Sequence, residues 1–221
     1  MAQPQVRDGV TGSRVADELR AAILRGAYPP GTRLRQEELA TQYGASRVPI
    51  REALRILAAE GLITTVANAG AWIASLSLEE CAELYQVRER VEPLLLRYSL
   101  PHLTPADKDH LGELAEKMRN TSDVERFLAL DREFHLGSYR GAETTFLGPT
   151  VARLWNNTQH YRRAFTRLLD VESNRIVHDE HHMLVAAIRD NDPDEAERVL
   201  FGHIRRTRLQ LARHPEVFSR Q

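Results

Sequence analysis

One ten-residue stretch, SRVPIREALR at residues 46–55, constrains the fold of this chain more than any other feature. It is typical of a helix start, because Ser46 can cap the first turn through its hydroxyl and Pro49 is tolerated where backbone N–H groups have no helical partner. Residues four positions apart share one helix face, and three cations follow that spacing: Arg47, Arg51 and Arg55. The neighbouring stripe is apolar: Ile50, Leu54 and Leu57. An apolar back and a cationic front suit a helix that reads the DNA major groove.

The segments around this helix decide between two interpretations of its arginines. On an isolated helix, such a row is most simply a solvated face paired with glutamates. Here, residues 36–43 predict a short helix, and the turn Gly44-Ala45 joins it directly to the arginine helix. Two short β-prone runs follow at residues 62–66 and 71–74, with turn residues at 68–70 between them. This order predicts a winged helix-turn-helix.

The rest of the chain predicts an antiparallel bundle of six helices. Helix-start signals recur from residue 77 onward, among them the capping box of Ser77 and Glu80 and the pair Asp192-Pro193. No convincing strand pattern interrupts them, which is typical of a helical bundle. The predicted protein is mainly α and has three parts: a disordered tail at residues 1–12, a winged helix-turn-helix domain at 13–75 and an all-helical domain at 76–221.

Composition excludes several classes of protein. The formal net charge is −1, so no broad basic surface draws the chain to nucleic acid, and phosphate contacts must be local. The single cysteine, Cys81, excludes an internal disulfide, and we interpret it as a helix residue, not a nucleophile. The first twelve residues lack the apolar segment of a signal peptide, and the apolar runs are too short to cross a membrane. We therefore expect a cytoplasmic protein.

Four polar residues lie on apolar stripes of three predicted bundle helices: Asp131, His135, His181 and His203. Buried polar groups need partners, and one divalent metal ion would satisfy all four. Imidazole and carboxylate suit zinc, nickel, manganese or iron, and we predict zinc, nickel or manganese. One alternative is that each histidine is a separately hydrogen-bonded core residue. Another is a second pair, His178 and His182, whose stripe is more polar.

Two arginines also lie among apolar positions of the predicted bundle. Arg88 falls within the stripe that runs from Leu84 to Tyr98. It either pairs with Glu92, four residues further on, or faces the metal and binds a carboxylate through two N–H groups. Arg162 is a second candidate for such a carboxylate contact.

Two sets of motifs resemble a known family. The segment PPGTRLRQEELATQYGASRVPIREALRILAAEGLI, with the later Gly70, closely resembles the winged helix-turn-helix of GntR-family bacterial transcription regulators. DREFH, followed by EHH, AAIRDNDPDEAE and HI, resembles the FCD-type ligand-binding domain of the FadR branch. The resemblance covers about residues 13–213. With six helices, the C-terminal half is more similar to the VanR subgroup than to the seven-helix one.

The resemblance implies a homodimer that binds a short palindromic operator in double-stranded DNA. The short apolar runs separately predict that the protein has no membrane partner. It assigns DNA contacts to the wing residue Gly70 and to the start of the arginine helix: Arg47, Val48, Pro49 and Arg51. We add Ser46, which directly precedes them, to the predicted DNA-binding residues. A further basic contact falls to Arg33 or Arg35, because the loop there is one residue shorter than in FadR. Val48 stands where the family commonly has threonine, which removes a hydroxyl that could bond a phosphate or a base edge.

The resemblance also implies control by a small carboxylate effector. Metal-binding members use one aspartate and three histidines, and the matching positions are the four residues named above. Arg88 and Arg162 would then contact the effector. We predict a transcription regulator, expected to be a repressor, whose effector binds at the metal site. One alternative is a metal-dependent hydrolase with Glu180 as its base, and another is a helical dimerisation module with a purely structural metal.

Overall fold

The computed structural model describes residues 11–66, 70–168 and 171–218, and these ranges are mainly helical. Their α-helices are α1 Gly12–Leu24, α2 Gln36–Tyr43, α3 Arg47–Ala59, α4 Leu78–Ser99, α5 Pro105–Arg119, α6 Val124–Ser138, α7 Leu147–Thr166, α8 Val171–Arg189 and α9 Pro193–Leu211. The strands are β1 Arg33–Leu34, β2 Ile63–Val66 and β3 Gly70–Ile73, and the short 3-10 helices are Leu100–His102 and Pro215–Phe218. Within these ranges the chain forms two compact units: one up to residue 75 together with 155–160, and one of residues 76–154 with 161 onward.

The turn between α2 and α3 depends on one glycine. Gly44 follows the last residue of α2 and adopts φ +59°, in the left-handed region that glycine enters without steric cost. The Ala45 N–H donates to the Ala40 carbonyl at 3.0 Å, which closes the end of α2. The chain is thereby redirected within three residues, and α3 starts at Arg47. The predicted helix-turn-helix is confirmed.

The small sheet of the first unit has β3 in its centre. β2 and β1 both pair with β3 in the antiparallel sense, Ile63 opposite Ile73 and Arg33 opposite Trp72. The pairing of β2 with β3 confirms the predicted wing, whereas the turn predicted at 68–70 includes residues 68 and 69, which lie outside the described residues. β1 was not predicted, because a strand of two residues is too short to show alternation.

One apolar core holds the helices and the sheet of the first unit together. Its buried side chains include Val15, Leu19, Ile23, Leu34, Leu39, Ile50, Leu54, Leu57, Ile63 and Ile73. α1 and α3 pack against each other within this core. The apolar stripe predicted on α3 is therefore the face that attaches α3 to its own domain.

The second unit is the predicted bundle, and its described residues include α4, α5, α6, α8, α9 and both ends of α7. α4 packs against α9, α5 packs against α6 and α8, and α8 packs against α9. Both hydrogen bonds of the capping box at Ser77 and Glu80 are formed, and the Asp192 carboxylate accepts from two first-turn N–H groups of α9. Cys81 is buried in α4, where burial raises the pKa of its thiol to about 12. The cysteine is therefore an inert helix residue, as predicted.

The N-terminal boundary differs from the prediction. Thr11 caps α1 by accepting from the Arg14 N–H, so residues 11 and 12 belong to the helix and not to a tail. The cap satisfies an N–H group that has no partner within the helix. The rest of the predicted disordered tail, residues 1–10, lies outside the described residues.

Among the described helices, none combines the length and the apolarity that spanning a bilayer requires.

Candidate functional sites

The first turns of α3 present their polar face to solvent. Arg47 and Arg51 are exposed, Val48 is 63% exposed, and Ile50 is fully buried. Arg47 Nη2 donates to Glu37 Oε1 of α2 at 2.7 Å, and both side chains of this pair remain largely exposed. Exposed pairs of this kind contribute little to stability, so Arg47 can exchange its carboxylate for another anion at small cost.

Ser46 stands at the position predicted for it but does not make the predicted bond. Its backbone is extended, with φ −76° and ψ 171°, as an N-cap requires. The hydroxyl nevertheless accepts no hydrogen bond from the first turn, and the residue is exposed. The capping prediction is therefore wrong for the side chain. The backbone of Ser46 adopts the N-cap conformation without a hydrogen bond from the hydroxyl to the first turn.

The wing and β1 bring further predicted residues close to α3. A groove of ≈ 520 Å³ separates α3 from the wing, and its lining includes Arg51, Arg55 and Gly70. Gly70 has φ +132°, and a Cβ built on it would lie 3.6 Å from Arg33 Nε. Arg35 is exposed and pairs with Glu38 of α2 at 3.3 Å. Arg33, unlike Arg35, thus lies beside Gly70 of the wing.

In the bundle, three helices bring the four predicted metal ligands together. α6 supplies Asp131 and His135, α8 supplies His181 and α9 supplies His203; one ligand atom from each lies within 4.8 Å of the others. His181 Nε2 lies 3.1 Å from Asp131 Oδ1 and 3.3 Å from His135 Nε2. The imidazole rings of His135 and His203 stack with centroids 5.1 Å apart. The ligand atoms therefore converge on one point inside the bundle.

Burial keeps the three imidazoles in the form that binds metals. It lowers the pKa of His135 and of His181 well below 6.5, and lowers the pKa of His203 to about 4. Near neutral pH all three rings are uncharged, and a neutral imidazole is the metal ligand. Tetrahedral nitrogen ligands at about 2.0–2.1 Å from zinc lie about 3.3 Å from each other, and the two Nε2 atoms of His135 and His181 have that separation. The four residues fit a divalent ion.

Two of the four ligands have partners outside the cluster. Asp131 Oδ2 pairs with Arg162 Nη2, while Oδ1 of the same carboxylate faces His181. His203 Nδ1 lies 3.0 Å from Glu180 Oε2, and Glu180 Oε1 pairs with Arg206. Partners of this kind orient metal ligands in proteins.

Arg88 forms the ion pair that was one of its two predicted arrangements. Its Nε donates to Glu92 Oε1 at 2.5 Å, and both side chains are almost fully buried. Tyr139 donates its hydroxyl to the other Glu92 oxygen at 2.8 Å, and the Arg88 guanidinium lies 4.8 Å from the centroid of the Tyr85 ring. Burial opposes ionisation of Glu92, but the charge and hydrogen bond of Arg88 outweigh it and lower the pKa of Glu92.

Arg162 is another buried cation of the bundle, and its guanidinium contacts Asp131 of the metal-ligand cluster. Burial lowers the pKa of Arg162 to about 10, so the group keeps its charge at neutral pH. The sequence predicts an effector contact for Arg162. It does not predict the pairing with Asp131, because the two residues lie on different helices.

The alternative sets named from the sequence have other surroundings. His178 packs edge-on against Phe127, and His182 Nε2 lies 3.6 Å from Glu116 Oε1. Neither belongs to a metal-binding group within the described part of the chain. Glu180, the proposed base of the hydrolase alternative, has both carboxylate oxygens in contact with protein side chains: Oε2 with His203 and Oε1 with Arg206.

The comparisons with known proteins agree with both units. Residues 11–73 match the family described as bacterial regulatory proteins, gntR family, and residues 83–206 match the FCD domain. The gluconate operon transcriptional repressor of Bacillus subtilis is 31% identical over 193 residues, covering 82% of this chain and 77% of that protein. The Nta operon transcriptional regulator of Aminobacter aminovorans is 29% identical, covering 81% of this chain and 84% of that protein.

A solved structure of the Escherichia coli protein McbR/YncC is similar over 92% of this chain and 97% of its own, with a TM-score of 0.79 and 25% identity. The family and these relatives are transcription regulators, so the hydrolase alternative is set aside. The chain belongs to the GntR family of bacterial transcription regulators and carries the FCD domain in its C-terminal half.

Proposed function

We propose that the protein is a repressor that binds a palindromic operator as a homodimer and responds to a small carboxylate bound at a divalent metal in the bundle. The observation that carries this proposal is the convergence of Asp131 and three histidines beside two buried arginines. Four protein ligands would leave positions open for a further oxygen ligand on an ion of higher coordination number such as nickel or manganese, and zinc would accept one by expanding to five-coordination.

On the DNA side, the proposal uses the exposed start of α3 and the wing. The residues that would face DNA lie at the N-cap and in the first turns of α3: Ser46, Arg47, Val48, Pro49 and Arg51. Pro49 is half-buried and the other four are exposed. The wing offers Gly70, with Arg33 beside it, and Arg35 is exposed at the start of α2. In a homodimer, two such helices would contact half-sites about 34 Å apart, one turn of DNA. A two-fold symmetric dimer would accordingly require an operator with matching symmetry, which is a palindrome.

On the effector side, the ion when bound would supply a positive charge for one carboxylate oxygen. Arg162 and Arg88 would add cationic N–H donors, which bind carboxylates strongly in dry surroundings. Each guanidinium already has a protein carboxylate as partner, Asp131 for Arg162 and Glu92 for Arg88. The protein carboxylates keep the cations satisfied before the effector arrives.

Relatives support repression as the direction of control. The Bacillus subtilis relative is named a repressor of the gluconate operon, and a 28% identical Escherichia coli relative is named the HTH-type transcriptional repressor GlaR. Six helices in the described bundle support a place in the VanR-like subgroup, which stays a prediction.

The proposal is tested by measuring operator affinity with and without carboxylates. An operator is selected from random DNA duplexes with the wild-type protein, and a panel of small mono- and dicarboxylates is added to zinc-loaded and chelator-treated samples. We expect at least one carboxylate to weaken operator binding of the zinc-loaded protein about 5- to 150-fold, the usual range of allosteric coupling. Equal affinity with every carboxylate would contradict effector control. An equal response after metal removal would instead favour a purely structural ion.

A second prediction concerns the carboxylate that holds Arg47. Replacing Glu37 with glutamine removes a negative charge beside the proposed phosphate path and frees Arg47 from its 2.7 Å partner. Because an exposed pair contributes about 0–1 kcal/mol, we expect operator affinity to rise up to about fivefold. The matched control is Glu113→Gln, which removes an exposed carboxylate paired with Lys117 in the bundle. A weaker operator complex for Glu37→Gln would mean that Glu37 positions Arg47 for DNA.

A further inference from the structure

We infer that Glu180 is a positioning residue of the metal centre, holding His203 so that Nε2 of its imidazole faces the ion. Glu180 contributes no atom to the four-ligand set. The inference rests on the proposed metal-dependent function and extends it to a residue outside that set.

The geometry of Glu180 differs from that of its neighbour His181. Adjacent residues of an α-helix point about 100° apart, so Glu180 and His181 leave α8 in different directions. Glu180 Oε2 lies 3.0 Å from His203 Nδ1 of α9, whereas His181 Nε2 faces Asp131 of α6. Glu180 is only 8% exposed, and its second oxygen pairs with Arg206.

This contact determines which nitrogen of His203 can bind a metal. An ionised carboxylate only accepts hydrogen bonds, so the 3.0 Å contact with Glu180 favours the tautomer of His203 that carries its proton on Nδ1. The lone pair then resides on Nε2, and the bond to Glu180 also limits rotation of the ring. A carboxylate behind a metal-bound histidine fixes the tautomer and raises the basicity of the ligand nitrogen.

Arg206 completes the arrangement from the same helix as His203. Its guanidinium compensates the charge of the buried Glu180 carboxylate, which would otherwise be costly to keep ionised. α8 therefore contributes the ligand His181 with the positioning residue Glu180, and α9 contributes the ligand His203 with Arg206. An ion bound by these ligands would, together with Glu180 and Arg206, fix α8 against α9.

The test measures zinc affinity of the full-length protein by competition with a chromophoric chelator. We expect Glu180→Ala to bind zinc about 10- to 100-fold more weakly than wild type, the usual effect of losing such a partner. Glu180→Gln is expected to lose less, since its amide oxygen can still accept from His203 Nδ1.

A matched control separates positioning from general damage to the bundle. Glu89 is also a buried carboxylate paired with an arginine of α9, Arg208, at 2.5 Å, but it lies outside the metal-ligand cluster. Glu89→Gln should keep the zinc affinity of wild type within about twofold. An equal loss in Glu89→Gln and Glu180→Ala would overturn the inference, because both would then act through stability alone.

A second readout does not depend on the metal. ¹⁵N NMR of the metal-free protein should show His203 protonated at Nδ1 in wild type. Glu180→Gln should show both tautomers, because an amide can accept or donate. A wild-type His203 protonated at Nε2, or a Glu180→Ala protein that binds zinc as tightly as wild type, would overturn the inference. If wild type itself bound no zinc, the proposed metal-dependent function would fail as well.

Discussion

Replacing Arg47 with alanine is expected to lower operator affinity about 30-fold or more. Arg47 lies in the first turn of α3, and its exposed guanidinium pairs with the exposed carboxylate of Glu37. A good bidentate bond to a base contributes about 1–3 kcal/mol of discrimination. A homodimer would lose two such bonds, about 2–6 kcal/mol, which is about 30-fold to more than 10,000-fold in affinity. Fluorescence anisotropy on the selected operator measures this loss.

The control for Arg47→Ala is Arg198→Ala in the bundle. Arg198 is likewise an exposed arginine paired with one carboxylate, Glu195, so its removal tests the effect of one surface charge alone. It should change operator affinity less than about twofold. Sedimentation of both variants should match wild type, because neither side chain is buried. Operator affinity of Arg47→Ala within twofold of wild type would refute the proposed docking of α3.

The salt dependence of the same titrations identifies the kind of bond that Arg47 makes. If Arg47 binds phosphate, its removal weakens specific and random DNA equally and reduces the salt slope by about one for each phosphate that the variant no longer neutralises. If Arg47 binds a base edge, affinity for the operator falls more than affinity for random DNA. Either result places α3 on DNA, and the second places its first turn in the major groove.

Periodicity made much of this architecture predictable from the sequence. α2 covers residues 36–43, the segment predicted for it, because Gly44 marks its end and a helical stripe defines its length. The four candidate metal ligands could be grouped because each is a polar residue on an apolar stripe, and the bundle brings those stripes together. Patterns that repeat along one helix can therefore be recognised from the sequence alone.

Pairings between distant segments were not predictable in the same way. Tyr139 donates to Glu92 across 47 residues, and Glu180 meets His203 across 23 residues. No local spacing marks either pair, because helix–helix packing decides which side chains meet. β1 was missed for a related reason, since its pairing with β3 is a contact between distant segments, and the absence of a capping bond from Ser46 reflects turn geometry that local propensity does not specify.

Replacing His181 with alanine is expected to abolish metal-induced stabilisation of the bundle. In wild type, an ion at a thousand times its dissociation constant should stabilise the folded state by about 4 kcal/mol, or about 8–16 °C in melting temperature. His181 Nε2 lies 3.1 Å from Asp131 and 3.3 Å from His135, at the centre of the ligand atoms. Without it, three ligands remain on two helices. Thermal unfolding with and without zinc, together with elemental analysis, measures both losses.

The control for His181→Ala lies one turn earlier on the same helix. His178 is also a buried histidine of α8, but it packs against Phe127 and lies outside the metal-ligand cluster. His178→Ala should lower the melting temperature of the metal-free protein by leaving a cavity, yet keep the full shift on adding zinc. Loss of the zinc shift in His178→Ala alone would move the centre to the His178 and His182 pair. Loss in His181→Ala alone, together with an operator affinity that no longer responds to carboxylate, would make the ion the link between effector and DNA.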